Sequence, residues 1–543
     1  MVHRAEAEIG GMRTPAGISE ADFAAAIAAF ESVVGKEWVF TSDDDLEPYR
    51  DAYSILRDEP EERIASAAVA PFTSDEVQAV MRIANEHRIP IYPISTGKNL
   101  GYGGAAPVLS GSVVLDLKRM NRILEIDERN SYVLLEPGVS YFDLYRAIQD
   151  KGLNLWIDCP DPGWGSVVGN ALDYGGGYTH SWYRNHFEAH CGMEVVLANG
   201  ELLRTGMGAL PGAKTWQQNK YGYGPFVDGL FKQSSLGIVT KMGFWLYPAP
   251  EAYISGVVGV PKKADINALV DVINYLENTV SMQGMPVFAS PFLPFGLPGA
   301  PPPDMPTYDS PVAEQEAYAA AHNLPYWTVT VSYYGAPEVV KAQWDYTKRK
   351  ASAIAGATFS GGDVVTMPPK PEMLKGMNRS LFGVPSLSIF FIGARSEHSD
   401  PTQGHITCSP IIPRTGEGIS EAYDLIFRTT KRLELPVTIL SPPIGCWART
   451  FVILVMIAVT EDPAKNKRTR AGFREMIRIL AEHGYGEYRT APAFMDDVME
   501  TYSFNNHALR RFHETVKDAV DPNGIISAGR YGVWPKHIRE KKA

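Results

Sequence analysis

Four stretches of the chain carry residue types able to do chemistry. The first is Ser95-Thr-Gly-Lys-Asn-Leu-Gly-Tyr-Gly-Gly104, where Gly97, Gly101, Gly103 and Gly104 let the backbone turn N–H groups toward one point. Such a nest takes a pyrophosphate, and the same composition also makes a plain surface turn. It is neither a Walker loop nor a dinucleotide fingerprint opening a helix, because a strand follows it. The second is Asp158-Cys-Pro-Asp161-Pro-Gly-Trp-Gly-Ser-Val-Val-Gly-Asn170. Asp161, set between Pro160 and Pro162, either offers a carboxylate to a pocket or initiates a turn. In the third, His405 lies in Gln403-Gly-His-Ile-Thr-Cys-Ser-Pro410, with Ile406 and Cys408 alternating inward along a strand; it is one of twelve histidines. The fourth, Gly486-Glu-Tyr488-Arg489-Thr, puts a phenol donor beside a permanent cation. That pair suits an oxyanion, and it also occurs as an ordinary surface dipeptide.

Helices and strands must position these stretches. Residues 19 to 34 and the Thr73–Glu76 capping box ahead of Val77, Val80, Met81 and Ala84 predict two amphipathic helices. Strands are predicted at Ile89 to Ile94 and Val113 to Leu117, and a hairpin at 123–126 and 132–136. From about 251 the texture changes. Residues 291 to 306 hold seven prolines, which no helix or central strand tolerates. Two helix-plus-strand units flank them, at 262–280 with 325–333 and at 419–434 with 450–459. The last 55 residues return to turn chemistry, Asp521-Pro-Asn-Gly524 and Gly529-Arg-Tyr-Gly532. The arrangement predicts a second domain inserted between two parts of the first.

Composition bounds the function. At roughly 150 residues per domain, 543 residues allow three or four domains or two large ones. A net charge of −11 argues against a general nucleic-acid binder. Four cysteines without close pairing give no zinc spacing and no disulfide framework, and suit a reducing cytosol. The longest apolar run, Phe451 to Val459, is nine residues, whereas a membrane span needs about 20. The N-terminus has no apolar signal core and Lys-Lys-Ala is no peroxisomal address, so the expectation is a cytoplasmic protein.

Taken in order, the stretches resemble the flavin-dependent 4-phenol oxidizing enzymes, the family of vanillyl-alcohol oxidase, eugenol oxidase and the p-cresol methylhydroxylase flavoprotein. The matching runs are 93–107, 109–117, 134–145, 155–173, 192–212, 221–243, 484–490, 494–502 and 520–534. The resemblance implies an α+β, two-domain flavoprotein: an FAD-binding domain of two α/β subdomains from 1–250 and 486–543, and a cap domain at 251–485. FAD would be held by Pro93, Ser95, Thr96, Gly97, Lys98, Asn99, Gly101 and Gly103, by Pro160, Ser166, Gly169 and Asn170, by Gly237, Ile238 and Val239, and by Arg530. His405 matches the position from which oxidases of this group tether the flavin covalently. The p-cresol enzyme uses a tyrosine in a nearby segment, where this chain has Ser388-Ile-Phe-Phe-Ile-Gly-Ala394 without one. Tyr102, Tyr488 and Arg489 fall on the phenol-binding trio and Asp161 on the active-site carboxylate, a base for water or a hydroxyl proton. No metal is implied.

The implied reaction is oxidation of a para-substituted phenol through a quinone methide, with molecular oxygen as the electron acceptor and hydrogen peroxide as product. The alternative is a flavoprotein subunit delivering electrons to a cytochrome partner. A homodimer is the family expectation; an NAD enzyme and a non-catalytic binding protein are disfavoured. Two runs depart from the family pattern. Cys446-Trp-Ala-Arg-Thr-Phe451 replaces an Arg-Glu-Met-His-His run, and Tyr178-Thr-His-Ser-Trp-Tyr-Arg-Asn-His186 is two residues longer than its counterpart. Two readings stand for both, a pocket open to a bulkier para substituent or a packing change, at the pocket or at a subunit contact, that leaves the substrate unaffected.

Overall fold

The computed structural model describes residues 13–179, 185–279, 281–293, 301–374, 379–387, 404–447 and 449–542. Ser19 caps the helix Glu20–Val34 and Thr73 caps Ser74–His87, each side chain accepting from an amide three residues on. The predicted capping box is only half formed, since the Glu76 carboxylate reaches one residue further back, to the Phe72 N–H at 2.6 Å. The two helices share a core with the sheet ordered Val39–Phe40, Ala67–Val69, Val113–Asp116, Ile91–Ile94. Its last three strands are parallel and fully buried at Val113 to Leu115, hence the unbroken apolar run.

The predicted hairpin forms from Ile123–Asp127 and Tyr132–Leu135 and opens a second, antiparallel sheet. That sheet continues through Ile238–Trp245, His190–Val196 and Leu202–Arg204. Leu144 and Ile148 of the helix Tyr141–Asp150 and Val167 and Val168 of Val167–Leu172 close its core.

The inserted part is built on an eight-stranded sheet around Ala252–Val260 and Trp327–Gly335. Helices Ile266–Asn278, Pro337–Ala351, Gly416–Arg432 and Pro463–Glu482 share its core, which also takes in Ile55 and Leu56 from the N-terminal half. The single strand expected at 450–459 is two. Thr450–Val452 pairs with Ile411–Pro413 in the large sheet, and Val455–Ala458 pairs with His405–Cys408 in a three-stranded one. The paired segment beside it breaks at Pro410, whose missing N–H cannot continue a ladder.

After the cap the chain rejoins the first sheet. The Ile91 N–H donates to Ile525 O at 2.7 Å and the Ser527 N–H to Ile91 O at 2.8 Å. One buried cation pins this return. Lys517 Nζ, fully buried, donates at 2.6 Å each to Ser235 O, Ile526 O and Asp521 Oδ2, while Asp521 accepts from the Ile525 and Ile526 amides. Burial pulls the ammonium below its ordinary range, opposed by Asp521. Removing one partner of such a pair strands the other, so Asp521→Ala is expected to destabilise by about 3–5 kcal/mol. A thermal melt that matches the unsubstituted protein would refute it.

Candidate active site

The strand Ile91–Ile94 delivers the chain into the glycine loop, where Gly97 at φ +67° turns it back. The Tyr102 and Gly104 amides both donate to Asn99 O at 3.1 Å, closing the loop on itself. The side from Ser95 to Leu100 then faces a cavity of about 340 Å³. The helix Val167–Leu172 brings Gly169 so close to that loop that a Cβ there would lie 2.2 Å from Ser95 Oγ. Gly237 to Val239 and Arg530 complete this side of the wall.

All the predicted cofactor residues line this one cavity except two. Gly101 and Gly103, expected to hold the cofactor, do not line it. Their glycine character has another cause. A Cβ on Gly103 would meet Pro492 Cγ at 2.6 Å, and one on Gly101 would meet His405 Nε2 at 3.0 Å, both at positive φ.

His405 reaches the cavity from the cap. Along His405–Cys408, Ile406 and Cys408 enter the cap core while His405 and Thr407 face the cavity, as the alternation predicted. The His405 ring is buried, 5.2 Å from that of Tyr53. The cap adds an apolar wall of Met285, Ile444, Val452, Leu454 and Met456.

Tyr102, Asp161, Tyr488 and Arg489 line the same cavity. The Arg489 guanidinium lies 3.9 Å from the centre of the Tyr102 ring and 5.5 Å from that of Tyr488. Burial works against its charge, but Tyr488, Tyr102 and Asp173 outweigh that and raise its pKa. Its Nε is buried with no hydrogen-bond partner, as is Asp161 Oδ1. Burial also raises the Asp161 carboxyl above its ordinary range, while a hydrogen bond from Tyr178 pulls it back. Buried polar atoms left open in a cavity wall are what a polar ligand satisfies.

Three residues that sequence reasoning missed organise these groups. Asp173 accepts from Asn99 Nδ2, Arg530 Nη2 at 2.9 Å and Tyr531 Oη, and pairs with Arg489 at 3.7 Å. Ser409 meets the Tyr102 hydroxyl at 3.0 Å, and Glu487 accepts from the Ser409 amide at 2.5 Å. Each lies inside or beside a run quoted above, but an Asp, a Ser or a Glu carries no signal until its partners are known. Of the departures, 180–184 and the Ala448 position lie outside the described residues, as does Ser388 to Ala394. Among the described residues no group of three His, Cys, Asp or Glu side chains is placed to hold a metal. No helix there is long and apolar enough to cross a membrane.

A family model described as the FAD binding domain matches residues 65–206. The 4-cresol dehydrogenase [hydroxylating] flavoprotein subunit of Pseudomonas putida is 34% identical over 538 residues, 96% of this chain and 97% of that protein. The chain belongs to the flavin-dependent 4-phenol oxidizing family. Among solved structures, 4-ethylphenol oxidase from Gulosibacter chungangensis, in its isoeugenol complex, matches with a TM-score of 0.83 at 34% identity. That match covers 97% of this chain and 100% of the other. Substrate-bound p-cresol methylhydroxylase matches with a TM-score of 0.80 at 32% identity, over 96% and 99% of the two chains. The family fold is the two-domain α+β flavoprotein, and its members are FAD-dependent oxidoreductases. The glycine-lined cradle, the close approach of Gly169 to Ser95 and the Gly237–Val239 wall with Arg530 fit FAD.

Asp173, buried, is shared by the half-buried guanidiniums of Arg489 and Arg530. Asp173→Ala is expected to cost about 3–5 kcal/mol of stability. It is also expected to lower the flavin-to-protein absorbance ratio of the purified enzyme. A ratio and a melt equal to those of the parent would contradict the role.

Proposed function

We propose that the protein oxidises para-substituted phenols, namely 4-alkylphenols, 4-hydroxybenzyl alcohols and allylphenols, and passes the electrons to oxygen. The observation that carries this reading is that Arg489, Tyr102, Tyr488 and Asp161 line the same cavity as the flavin cradle. A free phenol has a pKa of about 10, so its proton must be helped off near neutral pH. One half-buried guanidinium and two phenolic donors favour the phenolate. Electron density from that oxygen then expels hydride from the carbon attached para, leaving a quinone methide. FAD, when bound, would supply the hydride acceptor, and oxygen as the final two-electron acceptor would be reduced to hydrogen peroxide with the hydride equivalent and the phenol proton.

Asp161 takes the proton that the second step releases. When water adds to the quinone methide, its hydroxyl joins the benzylic carbon and its proton goes to the carboxylate. With a benzylic alcohol the hydroxyl proton leaves to the same group and a carbonyl forms. Loss of a proton from the neighbouring carbon gives an alkene. The apolar cap wall, Met285, Ile444, Val452, Leu454 and Met456, offers no hydrogen-bonding partner to a polar para substituent. His405, facing the cavity from the cap strand, is proposed as the covalent attachment point of the flavin.

Delivery of electrons to a cytochrome instead is favoured by one observation, that the Pseudomonas relative is named as a flavoprotein subunit. Anaerobic 4-ethylphenol or vanillyl alcohol is expected to bleach the flavin, and air to restore it rapidly. Sluggish restoration would select the cytochrome-coupled reading, and no bleaching would end the phenol reading.

His405→Ala is expected to leave FAD extractable by acid, where the parent keeps it in the pellet. Asp161→Asn is expected to lower kcat by about 10²–10⁴-fold with FAD retained. The base must be ionised to act and burial raises its pKa, so the parent rate falls as pH drops through a value above the ordinary carboxylate range. Asp161→Asn is expected to lack that acid limb. A variant with the parent's rate and limb would remove Asp161 from the mechanism.

A further inference from the structure

Behind the phenol clamp sits an acid that the reaction above does not use. Glu487 is buried, immediately before Tyr488 and Arg489, in a segment that pairs with Pro410. Its carboxyl accepts from the Ser409 amide at 2.5 Å, from Cys408 Sγ at 3.0 Å and from the Arg489 backbone N–H. Ser409, itself fully buried, turns its hydroxyl to Tyr102 Oη at 3.0 Å. One chain of contacts therefore runs from Glu487 through Ser409 to a phenol donor of the clamp, while the Arg489 charge acts on Glu487 directly.

The groups facing this carboxyl are few. From the strand His405–Cys408 comes the Cys408 thiol, held neutral by burial and by Glu487 itself. From its own segment comes Arg489. Beyond the helix Met495–Thr501 comes Tyr502, whose hydroxyl donates to the Glu487 carbonyl at 3.0 Å and whose pKa burial raises. Arg489 is thus the one cation among them. Burial pushes the Glu487 carboxyl up to about 8, so the neutral form holds below that pH and is lost as pH rises through it.

We propose that Glu487 is a positioning residue for the clamp, fixing Tyr102 through Ser409 and, when it loses its proton, weakening the hold of Arg489 on a phenolate. Neutral Glu487 leaves the Arg489 charge to the substrate oxygen. Ionised Glu487 places a second anion in the same buried surroundings, where like charges compete strongly. The inference rests on the phenol-binding reading above.

The test uses the FAD-loaded full chain and 4-fluorophenol, a phenol with no benzylic hydrogen to react. Binding is read as the change in flavin absorbance at pH 7 and pH 9. The amide of Glu487→Gln keeps the shape and an acceptor for the Ser409 N–H without the charge. The parent Kd divided by the variant Kd is expected to rise about fivefold between the two pH values, a coupling of ordinary size. A ratio that does not change overturns the charge effect, which a merely structural glutamate would not produce. Ser409→Ala leaves Glu487 untouched and is expected to weaken 4-fluorophenol about threefold at pH 7, the loss of one hydrogen bond. Unchanged affinity there overturns the link to Tyr102. Failure of 4-fluorophenol to bind the parent at either pH would overturn the phenol site itself.

Discussion

Two half-buried guanidiniums, Arg489 and Arg530, meet at one buried carboxylate, Asp173, and the rest of the site depends on that imbalance. A single anion for two cations leaves positive potential at the cavity wall. Charge in such surroundings acts far more strongly than at a surface. The excess suits a phenolate beside Arg489 and an anionic cofactor beside Arg530. An ionised Glu487 beside Arg489 would offset part of it, and burial raises the Glu487 carboxyl to about 8, so that below that pH the group adds no such charge.

Holding this arrangement requires every part of the fold. Asp173 follows the helix Val167–Leu172 of the second sheet, and Asn99 lies in the loop leaving the first. Arg489 follows the helix Pro463–Glu482, and Arg530 arrives with the C-terminal return pinned by Lys517. His405 and Ser409 come from the cap strand and the turn after it. The cavity therefore lies where segments distant in the chain meet.

The two N-terminal helices, the hairpin and the inward alternation at Ile406 and Cys408 were legible because each follows from local periodicity. The break within 450–459 was not. Phe451 to Val459 is uniformly apolar, and only the partner segment, divided at Pro410, assigns its two halves to different sheets. The glycine loop was legible as a turn, but its four glycines look alike in sequence. Whether a glycine faces the cavity or makes room for His405 or Pro492 depends on what packs behind it.

The sequence by itself determined the residue types and their family order: a glycine-rich cradle, a Tyr-Arg pair, a carboxylate between prolines and a histidine on a strand. Runs that long and that ordered identify a flavoprotein family without coordinates. Only the tertiary structure decided that Asp173 bridges two arginines 316 and 357 residues away in the chain. It alone linked Ser409 to Tyr102 across 307 residues, and it showed Glu487 to be buried. The physical reason is that the strength of a charge or a hydrogen bond is set by burial and by partners. Both are properties of packing between distant segments, which no local pattern records.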